Sequence, residues 1–277
     1  MRKLLLSAAV SATFSFPLMV SAQTAPAPAP AAEPPALTGN FGVFSEYRFR
    51  GISQTFKKPA IQGGFDYAHS SGAYVGNWNS NVNSGAGYPG GNLEMDLYGG
   101  WKKTWGDWGM DVGGIYYYYP GTDSNTTLGL IGNPKTGATH TGAVNNKELY
   151  IGGSWKFLSV KYYNSMGDYF SVPGTKNSNY LDVSGTYDLG GGWGTVAHVG
   201  SLKVKNFSNG NYIDWKLGVT KDLSGWILGA SYITTNAKGS CGTTPTEPYC
   251  FGNDSAAASS TKNAGNSTIV LSVSKTF

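Results

Sequence analysis

Large apolar residues alternate with polar or small ones along one segment of this chain after another, and that period of two commits it to strands more firmly than any other feature. The end of the chain shows it plainly. Ile269, Leu271, Val273 and Phe277 fall on one face of an extended segment, Ser272, Ser274 and Thr276 fall on the other, and the chain stops on the aromatic. Residues 92–102 repeat the pattern with stronger contrast, Leu93, Met95, Leu97 and Trp101 against Glu94, Asp96, Tyr98 and Lys102. Past the N-terminal region, no stretch approaches the roughly 18 consecutive apolar residues that a membrane-spanning helix needs. A membrane crossing must therefore use strands, and 40 Gly, 18 Tyr, 12 Phe and 8 Trp with only 13% charged residues suit them.

Alternation and turn residues place the remaining strands. Residues 40–50 set Phe41, Val43, Tyr47 and Phe49 opposite Glu46, Arg48 and Arg50. Residues 60–68 set Ile61, Phe65 and Tyr67 opposite Gln62 and Asp66, and residues 73–82 set Tyr74, Trp78 and Val82 opposite Asn77, Asn79 and Asn81. Further strands are expected at 108–119, 148–157, 158–164, 180–189, 193–202, 212–221, 226–235 and 268–277. The connections alternate long and short throughout, with very long ones at 120–147 and 236–267. A soluble sandwich has no reason to keep that rhythm. The expected fold is all-β: a transmembrane antiparallel up-and-down β-barrel of about twelve strands, with short turns at the periplasmic end and long loops outside.

The N-terminus supports export. Arg2 and Lys3 precede an apolar run ending at Val20-Ser21-Ala22, which reads as a cleaved signal peptide over residues 1–22. Residues 23–37, rich in Pro and Ala, read as an extended periplasmic linker, leaving 38–277 as the barrel. A Gram-negative outer membrane is the expected location, with outer-membrane lipid and lipopolysaccharide as surroundings and the barrel-assembly machinery as a partner. Phe277 is the candidate assembly signal, an aromatic ending the last strand. The formal charge of +4, of which Arg2 and Lys3 supply two, is too balanced to suggest nucleic acid. Cys241 and Cys250 lie close together in a Gly/Ser/Thr/Pro segment of an exported chain and are expected to form a loop disulfide. No metal or cofactor is expected.

The run Phe44-Ser45-Glu46-Tyr47-Arg48-Phe49-Arg50-Gly51-Ile52-Ser53-Gln54-Thr55, followed by Pro59-Ala60-Ile61-Gln62-Gly63-Gly64-Phe65-Asp66-Tyr67 and Gly72-Ala73-Tyr74-Val75-Gly76-Asn77-Trp78, resembles the N-terminal signature of the TorF-type porin family of bacterial outer-membrane proteins. The resemblance implies a barrel at the outer membrane that forms a pore. It brings no catalytic residues.

Function follows from the polar faces. They place Glu46, Asp66, Glu94, Asp96, Asp111, Glu148, Asp182, Asp188 and Asp214 inside, with Arg48, Arg50, Lys102, Lys156, Lys161 and Lys216. Lysine or arginine facing lipid at the midplane costs about 2–4 kcal/mol, so these charges belong in the interior. One reading is a water-filled path for small hydrophilic solutes or ions with a mild cation preference, Glu46, Arg48 and Arg50 forming a constriction. The other is a salt-bridged network that plugs a narrow barrel, leaving a structural or adhesive role, since about twelve strands lie between filled and open sizes. Tyr117, Tyr119, Tyr150 and Tyr163 also fall inward. A lipase- or protease-type barrel enzyme would need a serine beside a base. Of His69, His140 and His198, only His198 lies on a strand, near Ser184 or Ser201, without an identifiable orienting group, so no enzyme is expected.

Overall fold

The computed structural model describes residues 37–88, 90–122, 142–241, 247–252 and 261–277. The expected signal peptide, and the linker up to residue 36, lie outside the described residues.

Twelve strands close one antiparallel barrel: β1 (Leu37–Phe44), β4 (Ala60–Ala68), β5 (Ala73–Asn81), β6 (Leu93–Trp105), β7 (Trp108–Tyr118), β8 (Asn146–Trp155), β9 (Leu158–Ser165), β10 (Asn179–Gly190), β11 (Trp193–Lys203), β12 (Tyr212–Leu223), β13 (Trp226–Thr235) and β16 (Thr268–Thr276). Two small ladders lie apart from that sheet, β2 (Arg48–Phe49) with β3 (Ile52–Ser53), and β14 (Cys250–Gly252) with β15 (Thr261–Asn263). Among the described residues there is no α-helix, only short 3₁₀ turns such as Ser84–Ala86 and Tyr169–Ser171. The barrel closes where β1 meets β16, with Val43 opposite Val273 and Phe41 opposite Lys275. Phe277 N donates to Gly39 O at 2.8 Å and Gly39 N to Phe277 O at 3.1 Å, so the start of β1 and the end of β16 meet at the short-turn rim. Closure leaves no sheet edge unpaired, which is what a strand structure in lipid requires.

The outer surface is apolar. Ile61, Phe65, Val75, Leu97, Leu149, Ile151, Leu181, Leu217, Ile269 and Leu271 are all exposed around the barrel. In water such a surface would aggregate; in a bilayer it is the required contact. Trp105, Trp108, Trp155, Trp193 and Trp226 each begin or end a strand beside a short turn and are exposed, forming an aromatic girdle at one rim. Lysines cover several of these rings: Lys103 on Trp105, Lys156 on Trp155, Lys221 on Trp193, and Lys275 on Trp226 at 5.1 Å.

Two of the sequence expectations need correction. The alternation over 40–50 suggested one long strand, but β1 stops at Phe44, and Tyr47 and Phe49 are buried inside the barrel rather than facing out with Phe41 and Val43. On β5 the expected facing is inverted. Tyr74 and Trp78 point inward, where the Tyr74 hydroxyl donates to Asp111 Oδ1 at 2.6 Å and Trp78 meets the edge of Tyr47 at 5.5 Å. Asn77, Asn79 and Asn81 pair with the outward Leu97, Met95 and Leu93. Their amides are satisfied locally: Asn77 Nδ2 donates to Asp96 O at 3.1 Å, Asn79 Nδ2 to Gly63 O at 3.3 Å, and Ile61 N donates to Asn81 Oδ1 at 2.7 Å. Amide side chains that reach neighbouring backbone carbonyls are tolerable on an outer face, whereas an inward tyrosine gains a carboxylate partner.

Candidate functional site

The lumen is divided by the segment between β1 and β4, residues 45–59. It enters from the long-loop end and folds back as the β2–β3 hairpin, pairing Arg48 with Ser53 and Phe49 with Ile52. Its two turn residues, Arg50 and Gly51, have φ of 48° and 78°, the left-handed pair that a two-residue hairpin turn requires. Gly51 is obligatory for a second reason. A side-chain carbon there would overlap Thr235 and Asp214 on the barrel wall.

Arg50 crosses the lumen to β8. Its Nη1 donates to Glu148 Oε1 at 3.0 Å and its Nη2 to Glu148 Oε2 at 2.7 Å, a two-pronged pair with both partners buried. The guanidinium lies over Tyr180 at 4.2 Å and over Tyr163 at 5.2 Å, and also donates to the Tyr169 hydroxyl at 3.2 Å. Burial lowers the affinity of Arg50 for its proton, but Glu148, Tyr169 and Tyr117 together reverse this and raise its pKa well above the ordinary arginine value. Arg48 fastens the hairpin on the other side. It donates to Ala264 O at 2.7 Å, Asn266 O at 3.0 Å and Gly51 O at 3.0 Å, and its Nε lies 3.0 Å from Glu46 Oε1. Phe49 sits edge-on against Tyr117 and Phe170, and Gln54 accepts from Tyr88. Aromatic side chains from the long loops, Tyr88, Tyr169, Phe170 and Tyr249, pack around the hairpin. A cavity of about 30 Å³, room for little more than a water molecule, remains among them.

Below the hairpin, toward the short turns, the interior is less tightly filled. Asp66, Lys102, Asp111, Lys161 and Asp182 are half-exposed there. Lys161 Nζ lies 2.6 Å from Asp111 Oδ2, and Tyr98 donates to Asp66 at 2.6 Å. Each of the twelve candidates from the sequence lies in the barrel interior: Glu46, Arg48 and Arg50 on the inward segment, Asp66 on β4, Glu94 and Asp96 on β6, Asp111 on β7, Glu148 on β8, Lys161 on β9, Asp182 on β10, and Asp214 and Lys216 on β12. Two further charges expected inside are instead at the short-turn rim. Lys156 lies in the β8–β9 turn, 3.9 Å from Asp107, and the exposed Asp188 accepts from Gly190 N at 2.8 Å.

Sequence reasoning missed Tyr74, Tyr180 and the hairpin's Tyr47 as interior residues. Tyr180 shares its strand parity with the inward Asp182 and Ser184, and for Tyr47 the signal was the Arg50-Gly51 pair, a weaker turn signal than Asn-Gly. The structure also brings Ser184 and His198 together at 3.0 Å through Nδ1. The same Nδ1 lies 3.0 Å from Asp182 Oδ2, Nε2 lies 2.8 Å from Asp214 Oδ1, and Ser184 Oγ itself donates to Asp182 at 2.5 Å. A serine nucleophile needs a ring nitrogen free to take its proton. Here a carboxylate faces each nitrogen, which suits a structural imidazole bridging β10 and β12. Cys241 and Cys250 form the expected disulfide in the last long connection. Among the described residues, no group of three or more His, Cys, Asp or Glu side chains converges to hold a metal.

Fold and interior together define a closed twelve-strand membrane-type barrel with a polar lumen and an inward hairpin. The chain belongs to the family described as bacterial protein of unknown function (Gcw_chp), whose model matches residues 28–277. Comparison with the curated proteins finds no sequence match. Among solved structures the chain is similar to a KdgM porin in complex with disordered oligogalacturonate (8% identity, 87% of this chain and 99% of that one, TM-score 0.48). It is also similar to the NanC porin (10% identity, 87% and 99%, TM-score 0.46) and to OmpT of Vibrio cholerae (11% identity, 87% and 98%, TM-score 0.39). The likeness is one of general shape and carries no solute or mechanism with it.

Proposed function

We propose that this chain is an outer-membrane channel of a Gram-negative bacterium, passing small hydrophilic solutes or ions with a mild cation preference, and that its β2–β3 hairpin closes the path at the long-loop end. The apolar belt and the tryptophan girdle support residence in a bilayer. The signal-like N-terminus, the terminal Phe277 and the resemblance of residues 44–78 to TorF-type porins support export and assembly in the outer membrane, with lipopolysaccharide around the loops. The observation that carries the closure is the Arg50–Glu148 pair across the lumen, because a polar clamp between a loop and the opposite wall can be released as a unit. The half-exposed charges below it form a vestibule that water and ions can enter.

The filled interior above the vestibule favours one other reading, a permanently plugged structural barrel. Planar-bilayer recordings at high salt separate the two. Wild-type protein should show small or infrequent openings, and a variant with residues 47–54 replaced by a short Gly/Ser linker should conduct several times more current. Silence from both proteins, each shown to be folded by heat-modifiable gel migration, would leave the plugged barrel as the correct reading.

A further inference from the structure

Seven buried side-chain atoms among the described residues lack a hydrogen-bond partner, and they are not scattered. Two of them, Glu46 Oε1 and Arg48 Nε, face each other at 3.0 Å as an ion pair. The other five are all oxygens: Glu94 Oε2, Asp96 Oδ1 and Oδ2, the Tyr47 hydroxyl and Gln62 Oε1. They occupy one sector beneath the hairpin. Glu94 and Asp96 are two residues apart on β6 and project to the same side, and Ser80 on β5 pairs with both Gln62 and Glu94 in one transverse row. Tyr47 belongs to the inward segment and packs against Trp78; its hydroxyl is directed at Glu94, and Asp96 also lies within its electrostatic reach.

Both carboxylates are 0% exposed. The charges that act on Asp96 are themselves carboxylates, Glu94 and Glu148, and Glu148 is already paired with Arg50. Enclosed carboxylates need a cation or must give up their charge. Oxygens gathered beside two negative side chains suit a divalent cation with a preference for oxygen ligands.

We propose that Glu94 and Asp96, with the Tyr47 hydroxyl and Gln62 Oε1 completing the ring of oxygens, hold a calcium-like divalent cation that fastens the inward segment to the barrel wall. Two carboxylates match its charge, and a hard cation of this class takes 6–8 oxygens in flexible geometry, water supplying the remainder. Because Tyr47 comes from the inward segment and the acids from β6, the cation binds the seated hairpin in preference to the released one. It therefore shifts the closing equilibrium by mass action. This goes beyond the channel proposal and holds whichever solute passes.

Terbium reports on the site, since Tyr47, Tyr119 and Trp78 surround it and can sensitise its emission. The full chain, refolded in detergent and stripped with a chelator, is titrated with Tb³⁺, with Ca²⁺ as competitor. In parallel, trypsin cleavage after Lys57 is timed with Ca²⁺ or EDTA, the Lys58–Pro59 bond being resistant. The expected result is saturable emission displaced by Ca²⁺, affinity lowered about tenfold or more in Asp96→Asn, and cleavage slowed several-fold by Ca²⁺ in wild type but not in the variant. If Asp96→Asn does not reach the heat-modifiable form, Tyr47→Phe, which keeps both carboxylates, is read instead, and a several-fold loss of affinity is expected. Absence of saturable emission, emission unchanged by the variants, or wild-type cleavage indifferent to Ca²⁺ overturns the proposal. None of these measurements reads ion flow, so a silent bilayer and a failed titration remain separate outcomes.

Discussion

Arg50 holds a conformation that a non-glycine residue enters at a cost of order 1–3 kcal/mol, with φ at 48°. What offsets that cost is the set of groups it reaches only from there: both Glu148 oxygens, the Tyr169 hydroxyl and the faces of Tyr163 and Tyr180. Removing one charge of such a buried pair destabilises by about 3–5 kcal/mol, because the other remains enclosed and unpaired. In Glu148→Gln the cheapest escape is release of the hairpin, which lets the guanidinium reach water. Trypsin cleavage after Lys57 should then rise roughly a hundredfold, tracking the opening equilibrium. The apolar pair Arg50→Met with Glu148→Met should return most of the protection; a double variant as labile as the single one would mean that the ion pair is not what holds the hairpin. Sequence alone pointed to Arg48, Arg50 and Glu46 as interior charges, because they share one parity in an alternating run. Their roles were not legible, since Glu148, the ionic partner of Arg50, lies 98 positions away and two of the three carbonyl partners of Arg48, Ala264 and Asn266, lie more than 200 away.

At the scale of elements, strand alternation identified the barrel strands and failed in two places for related reasons. The run from Asn40 to Arg50 keeps its period of two straight through the end of β1, because β2 also alternates, so nothing in the pattern marks where the wall ends and the hairpin begins. On β5, ranking Tyr and Trp as outward and Asn as inward ignored what these side chains do with their polar atoms. Tyr74 is worth more inside, beside Asp111, and Asn79 can spend its amide on the Gly63 carbonyl of β4. The last long connection was easier to read, since Cys241 and Cys250 sit nine residues apart in an exported chain and do pair. A closure of that size contributes about 2–3 kcal/mol in the chain-entropy account, and it acts on the loop. Replacing both cysteines with serine should increase protease sensitivity within residues 236–267 by tens of fold while leaving heat-modifiable migration unchanged. Loss of that migration would instead mean that the disulfide supports the barrel itself.

For the whole molecule, the charge of the lumen depends on where the hairpin is. With it seated, Glu46, Asp66, Glu94, Asp96, Asp111, Glu148, Asp182 and Asp214 face Arg48, Arg50, Lys102, Lys161, Lys216 and His198, and much of this charge is neutralised in pairs. Residues 47–54 bring two arginines and no acid, and the rest of the 45–59 segment adds Glu46, Lys57 and Lys58. Taking the hairpin out of the path therefore removes more positive than negative charge and leaves Glu148 without Arg50, so the opened lumen is more acidic than the closed one. Charged linings set ion preference through this local excess, and the effect weakens as salt screens it. Under a tenfold KCl gradient, the channel lacking residues 47–54 should give a reversal potential displaced toward that of potassium, and the displacement should shrink when both solutions are made tenfold more concentrated. Asp66→Asn together with Asp182→Asn, in the half-exposed vestibule, should move it back toward zero with little change in conductance. An anion-selective opened channel would mean that the positive groups left on the wall, Lys102, Lys161, Lys216 and His198, govern the path, and that the carboxylates are silenced by partners of their own.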